Sequence, residues 1–174
     1  MSVLILCLLM TQRKPRVTAA PSSSFELEAQ PGHLIRRLQQ IAVAIFLDEA
    51  AESGLTPVQF AALEAVAVRP RIDQRALARQ IGLDASTIGG VIDRLEARGL
   101  LERVTTPDDR RVRLLSVTKD GHAALAAVKP SVLRAQARIL APLPAREQAV
   151  FMRLLRELVT QNNEASRAPS ASPS

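Results

Sequence analysis

Apolar residues recur at steps of three and four along most of this chain, which is the period of helices with one buried face. Leu34, Leu38, Ile41 and Ile45 form one such stripe, with Ile35, Ala42 and Phe46 beside it, and predict a helix over about Pro31–Ser53. A second helix has the clearest start. Thr56-Pro57-Val58-Gln59 reads as a capping box with proline at the first helical position, and Leu55 and Phe60 are placed as a hydrophobic staple. Asp73 opens a short third helix to Ile81. Asp84 caps a fourth, whose Ile88, Val91, Ile92 and Leu95 share one face. That helix should stop at Gly99, and Arg94 and Arg98 suit its negative pole. Two β-like runs follow, Leu100–Thr105 and Arg111–Val117, joined by the turn Thr106–Arg110. Thr118 caps a fifth helix through about Ile139. Pro142 and Pro144 interrupt the chain before a sixth, which carries Val150, Leu154, Leu155 and Leu158.

The fold class is mainly α with a small β-hairpin wing. The order matches a winged helix-turn-helix over about residues 55–118, flanked by helices over 31–53 and 119–161 that complete a domain of residues 31–162. In that arrangement the fourth helix enters a major groove and the hairpin reaches the flanking backbone or minor groove. Residues 1–30 read as a flexible leader and 163–174 as a disordered Ser/Ala/Pro-rich tail. The apolar stretch Ser2–Met10 is too short to span a bilayer. Its positive charges, Arg13, Lys14 and Arg16, follow the apolar run rather than precede it, so it is not a secretory signal. Met10 is a candidate for the natural start. No internal repeat is present.

Composition narrows the function. The chain has 174 residues, 47% of them hydrophobic, enough for one domain with a real core. A formal charge of +6 favours an anionic partner, with nucleic acid foremost, although a basic surface also serves solubility alone. Lysine occurs only at 14, 119 and 129, so arginine, whose planar fork suits phosphates and guanine edges, carries most of that charge. Aromatic content is 2%, without Trp or Tyr, which disfavours single-strand and RNA-loop binding by stacking and leaves double-stranded DNA. One cysteine, Cys7, excludes an internal disulfide and a multi-cysteine zinc site and fits a cytoplasmic protein. Two histidines are too few to argue a metal site, and no nucleophile–base set or phosphate loop suggests an enzyme or a cofactor. Asp108 and Asp109 are neighbours in an exposed turn and lack the burial that a catalytic pair needs.

The stretch from Asp73 to Gly121 resembles the MarR (multiple antibiotic resistance regulator) family. The matching pieces are Leu77-Ala78 before Ile81-Gly82-Leu83, Asp93-Arg94-Leu95-Glu96 before Arg98-Gly99-Leu100, Asp109-Arg110-Arg111, and Thr118-Lys119-Asp120-Gly121. The resemblance implies a cytoplasmic transcription factor whose first and last helices interlock in a homodimer; packing on their own domain is the alternative. It also implies that Arg110 and Arg111 reach the minor groove, with Asp109 orienting a neighbouring guanidinium. Cys7 lies well before the first helix, where some relatives carry an oxidant-sensing thiol. Arg111 and Arg113 share one face of their strand, with Val112 and Leu114 on the other. Ser86 and Thr87 lie in the first turn of the reading helix and either contact bases or support the helix start. Arg75, Arg79 and Arg94 are equally phosphate contacts or solvated surface. Gly89-Gly90 departs from the family pattern, where many relatives carry a polar reader at the position of Gly90. Its benefit would be close approach, of the backbone to DNA or of the helix to its own domain.

Pro31–Gln40 is similar to the first helix of MarR regulators controlling aromatic-acid catabolism, nicotinate breakdown especially. His33, Arg36, Arg37 and Gln40 share a polar stripe there, and Gln59 on the second helix could add a contact. These residues suit a small aromatic carboxylate; the plain alternative is a solvated helix face. His122 reads as an ordinary surface histidine. Two functions follow: a ligand-responsive dimeric repressor, or an architectural winged-helix module without an effector.

Overall fold

The computed structural model describes residues 26–105, 113–166 and 168–169; the leader up to Phe25, the hairpin tip with Asp109, Arg110, Arg111 and Val112, and most of the tail lie outside them. Six helices and three strands are present among the described residues: α1 (Pro31–Glu49), α2 (Pro57–Val68), β1 (Ile72–Asp73), α3 (Gln74–Ile81), α4 (Ala85–Ala97), β2 (Leu101–Thr105), β3 (Arg113–Val117), α5 (Lys119–Leu140) and α6 (Ala145–Gln161).

The side-chain caps read from the sequence form. Thr56 accepts from the backbone of Gln59 at 3.2 Å, and the Gln59 side-chain oxygen accepts from the backbone of Thr56 at 3.0 Å. Asp73 caps α3 through the N–H of Ala76, and Thr118 caps α5 through that of Gly121. A 3-10 turn at Leu27–Ala29 precedes α1. The first helix stops earlier than its apolar period suggests. At Ala50 the backbone leaves the helical region (φ −103°, ψ 18°) and a 3-10 turn follows over Ala51–Ser53. The Ala50 carbonyl there accepts from both the backbone and the hydroxyl of Ser53, which tightens the turn.

The hairpin is antiparallel, with Leu101 opposite Val117 and Arg103 opposite Leu115. It gains a third strand not anticipated from the sequence: β1 pairs with the outer edge of β3, Ile72 opposite Leu115. Two residues are too short for a period to show. The core lies between α2, α3, α4 and this sheet, around the fully buried Leu63, Leu77, Ile88, Ile92, Leu95, Leu101 and Leu115. The outer helices differ. Leu34 and Ile35 of α1 are 54% and 60% exposed, and no residue of α6 is buried. Ion pairs from Arg134 to Glu49 and from Arg138 to Asp48 and Glu49 join α5 to the end of α1.

The corner between α4 and the sheet is closely packed. Gly99 turns the chain with φ +69°, and Leu100 donates to Leu95 at 2.9 Å. The Leu100 carbonyl accepts from Thr118 at 3.2 Å, and the Thr118 hydroxyl donates to the Gly99 carbonyl at 2.6 Å. A methyl group at Gly121 would overlap the Leu100 carbonyl and stand 2.7 Å from Cγ1 of Val117. Alanine usually stabilises a helix relative to glycine; here Gly121→Ala should destabilise by about 1–3 kcal/mol through overpacking. Gly90→Ala, which meets nothing closer than the Arg94 guanidinium at 3.8 Å, should instead stabilise by about 0.5–1 kcal/mol. Thermal melts of the two variants should therefore shift in opposite directions.

Candidate nucleic-acid interface

The start of α4 is organised by one carboxylate. Asp84 Oδ1 accepts from the backbone N–H groups of Ser86 at 3.0 Å and Thr87 at 2.8 Å, and from the Ser86 hydroxyl at 2.6 Å. Oδ2 accepts from the Thr87 hydroxyl at 2.8 Å. The Ser86 hydroxyl first, then the Thr87 backbone and hydroxyl, hold the Asp84 carboxyl well below the usual carboxylate range. Ser86 and Thr87 support the helix start, as one of the two readings had it, and both are exposed.

Further along that outward side lie Gly90 and Arg94. Side chains on a helix lean toward its N-terminus, and the Arg94 guanidinium accordingly lies over the turn that contains Gly90. A methyl group at Gly89 would meet only the Gln74 side chain at 3.4 Å. Close approach of α4 to its own domain therefore does not explain the glycine pair. The pair leaves the outer surface of the helix low.

The wing is fixed to this helix by Arg103. Its guanidinium, half-buried on β2, pairs with Asp93 at 2.5 Å and also with Glu96, both on α4. The hydrogen bond that Arg103 donates to Asp93 first of all holds the guanidinium charged against the effect of burial. By the period of two, Arg113 shares the sheet face of Leu115, the strand's most buried residue, while Leu114 is on the opposite face. Arg113 itself is exposed, one step beyond the end of the core. Arg98 at the end of α4 donates to the carbonyls of Gly54 and Ser53, at 2.8 and 2.9 Å. Arg103 was not singled out in the sequence, and Arg98 was read there as suiting the negative pole of α4 and not as an anchor. Arg103 had a signal, since it alternates with Leu101 and so points to the helix side of the sheet. Arg98 had none, because its partners are 44 and 45 residues away.

Arg75 and Arg79 line a cavity of about 410 Å³ with Asp84, Ala85, Ala168 and Pro169. On α1, Gln40 Oε1 accepts from both Arg36 and Arg37 at 3.4 Å, which brings three of the five predicted sensor residues together. His33, one turn before, is half-buried. Gln59 is apart from them: it is buried and its side-chain oxygen is committed to the cap of α2. A smaller cavity, about 220 Å³, lies between the Ala51–Ser53 turn and α5, and does not include the α1 cluster. Among the described residues no helix is long and apolar enough to cross a membrane, and no group of three His, Cys, Asp or Glu could hold a metal ion.

A helix-turn-helix of α3 and α4, with a strand pair locked beside its second helix, defines a winged-helix DNA-binding protein. Comparison with known proteins sharpens this. Residues 53–112 match the profile of the MarR family. The chain is 30% identical over 155 residues to the HTH-type transcriptional repressor NicR of Pseudomonas putida, covering 88% of this chain and 98% of that one. It is similar to the PcaV regulator of Streptomyces coelicolor, solved with its natural ligand (39% identity, TM-score 0.73, 79% and 97% of the two chains). BpsR of Bordetella bronchiseptica, whose DNA binding is regulated by 6-hydroxynicotinic acid, is 32% identical with TM-score 0.73 over 78% and 96%. The chain belongs to the MarR family of transcriptional regulators, which are not enzymes.

The Asp84 network gives a direct test of this geometry. A depressed pKa means that the cap is complete above the unfolded-state value, about 3.9, and is lost only as pH falls through the lower folded value. In an NMR titration of the carboxyl carbons, Asp84 should remain ionised at a pH of about 3, where an unperturbed aspartate is mostly protonated.

Proposed function

We propose that the protein is a cytoplasmic homodimeric repressor that leaves a pseudo-palindromic operator when a small aromatic carboxylate binds. The observation that carries the sensing half is the Arg36–Arg37–Gln40 cluster beside half-buried His33 on α1. Two guanidiniums beside an imidazole suit a carboxylate on a flat ring, and Gln59 has only its amide N–H groups left to offer such a ligand. The relatives support the same chemistry, since BpsR responds to a hydroxylated pyridine carboxylate. Dimerisation is supported by the apolar surface that a single chain leaves open: Leu34, Ile35 and Ile41 on α1, and Val150, Leu154 and Leu158 on α6. A second copy would cover both faces and set two reading heads side by side.

On DNA, Ser86, Thr87, the backbone at Gly90 and Arg94 face the major groove on this reading. Arg75 lies near the phosphates, Arg110 and Arg111 reach the minor groove with Asp109 orienting a neighbouring guanidinium, and Arg113 adds a contact from the wing. A two-fold dimer should protect two half-sites about 10 bp apart, or a multiple of that. In footprinting and salt titration, Arg111→Ala should weaken binding and flatten the salt dependence, because fewer counterions are released. A single half-site bound by one chain, or an unchanged salt slope, would refute this arrangement.

The effector must bind the released arrangement of the heads more tightly than the DNA-bound one. A coupling of about 1–3 kcal/mol lowers operator affinity roughly 5- to 150-fold, and DNA must weaken the ligand by the same factor. Calorimetry with hydroxylated pyridine and benzene carboxylates should find a binder. His33→Ala and Arg37→Ala should lose it and keep DNA binding. If no such acid binds, or one binds equally with and without operator, a winged-helix module without an effector is the better account.

A further inference from the structure

We infer that Asp84 sets the polarity of the base readers: it takes the hydroxyl protons of Ser86 and Thr87, so the first turn of α4 selects bases that donate hydrogen bonds in the major groove, cytosine or adenine. The inference rests on the placement of that turn against the base edges proposed above.

A serine or threonine hydroxyl has one proton and two lone pairs, and is usually a neutral reader because it can turn to suit either kind of base edge. Here both protons are engaged. Ser86 Oγ donates to Oδ1 of Asp84 at 2.6 Å and Thr87 Oγ1 donates to Oδ2 at 2.8 Å. The acceptor is an ionised carboxylate, and such bonds are roughly twice as strong as neutral ones. Asp84 makes no ion pair among the described residues, so no cation competes for its oxygens. The same carboxylate occupies the backbone N–H groups of Ser86 and Thr87, which removes them as phosphate donors. Only oxygen lone pairs, backed by a negative charge, remain to face outward from this turn. In the major groove the exocyclic amines of cytosine and adenine donate, whereas guanine presents two acceptors and thymine one. The first pair satisfies that surface and the second is repelled by it.

The test is a binding series on the intact protein with operator duplexes substituted at each half-site position. Ser86→Ala and Thr87→Val locate the positions that the two hydroxyls read. At those positions the unmodified protein should favour cytosine or adenine over guanine or thymine by about 5- to 150-fold, the usual cost of a mismatched pair. Asp84→Asn retains an N-cap residue, so α4 should persist, but its amide nitrogen donates and forces one hydroxyl to present its proton outward. Asp84→Asn should therefore relax the preference at one of the two positions without changing the salt slope, and Asp84→Ser should do so as well. Melting curves check that both variants fold. Selection of guanine or thymine at those positions overturns the inference while leaving the placement of the turn intact. So does a uniform loss of affinity in Asp84→Asn with base preference unchanged. If Ser86→Ala and Thr87→Val alter no base preference, the placement itself fails and the inference with it.

Discussion

The reading head depends on the crowding around one carbonyl group, that of Leu100. It is where α4, the wing and α5 meet, and no side chain fits between them at Gly121. Leu100 closes α4 by donating to Leu95, and its own oxygen receives the first residue that caps α5. The angle at which the fourth helix leaves the domain and the angle at which the fifth departs are thus set by the same peptide. Such a corner transmits displacement rather than absorbing it, because a close-packed interior has no slack to take it up.

Electrostatics divides the arginines into two populations. Arg98, Arg103, Arg134 and Arg138 are bonded to carbonyls or carboxylates within the chain and hold elements together. Most are exposed, and surface pairs of this kind contribute little to stability singly. Their value is geometric, since a guanidinium with two partners fixes a direction. Arg75, Arg79, Arg94 and Arg113 make no ion pair among the described residues and stand on or beside the reading side of the domain. They are not alone in this, since Arg36 and Arg37 on α1 make no ion pair either, so the position of these four beside α4, rather than their lack of carboxylate partners, is what suits them to DNA.

What was legible in the sequence was local. The caps at Thr56, Asp73, Asp84 and Thr118 need only a residue and its neighbours three positions on, and all four form as read. The buried face of α4 followed from its period. The third strand, the break at Ala50 and the Arg98 link did not, because each depends on something brought together by the fold. Among the site residues, Gln59 shows how one side chain can carry two readings. Its place in the capping box and its place in a sensor were both inferred, and the box uses the oxygen, which leaves only the amide N–H groups for a ligand. Ser86 and Thr87 show the reverse: each hydroxyl donates to Asp84 at the helix start, and its lone pairs are left for the proposed base contact.

The proposed sensor and the proposed dimer surface share α1, and this constrains how a ligand could act. The Arg36–Arg37–Gln40 cluster lies in the same helical turns as the exposed Leu34, Ile35 and Leu38. A ligand there would touch the dimer layer before it touched any DNA-reading residue. The reading helix is in turn tied to the far end of that layer, since Arg98 grips the carbonyls of Ser53 and Gly54 just after α1, while Arg138 and Arg134 grip Asp48 and Glu49 from α5. Within the head, Arg103 ties β2 of the wing to α4. On the proposed dimer, the relative placement of the two heads would remain free to change. Repression of that kind would be relieved by changing the distance between the reading helices, with the base-reading surface of each left as it was.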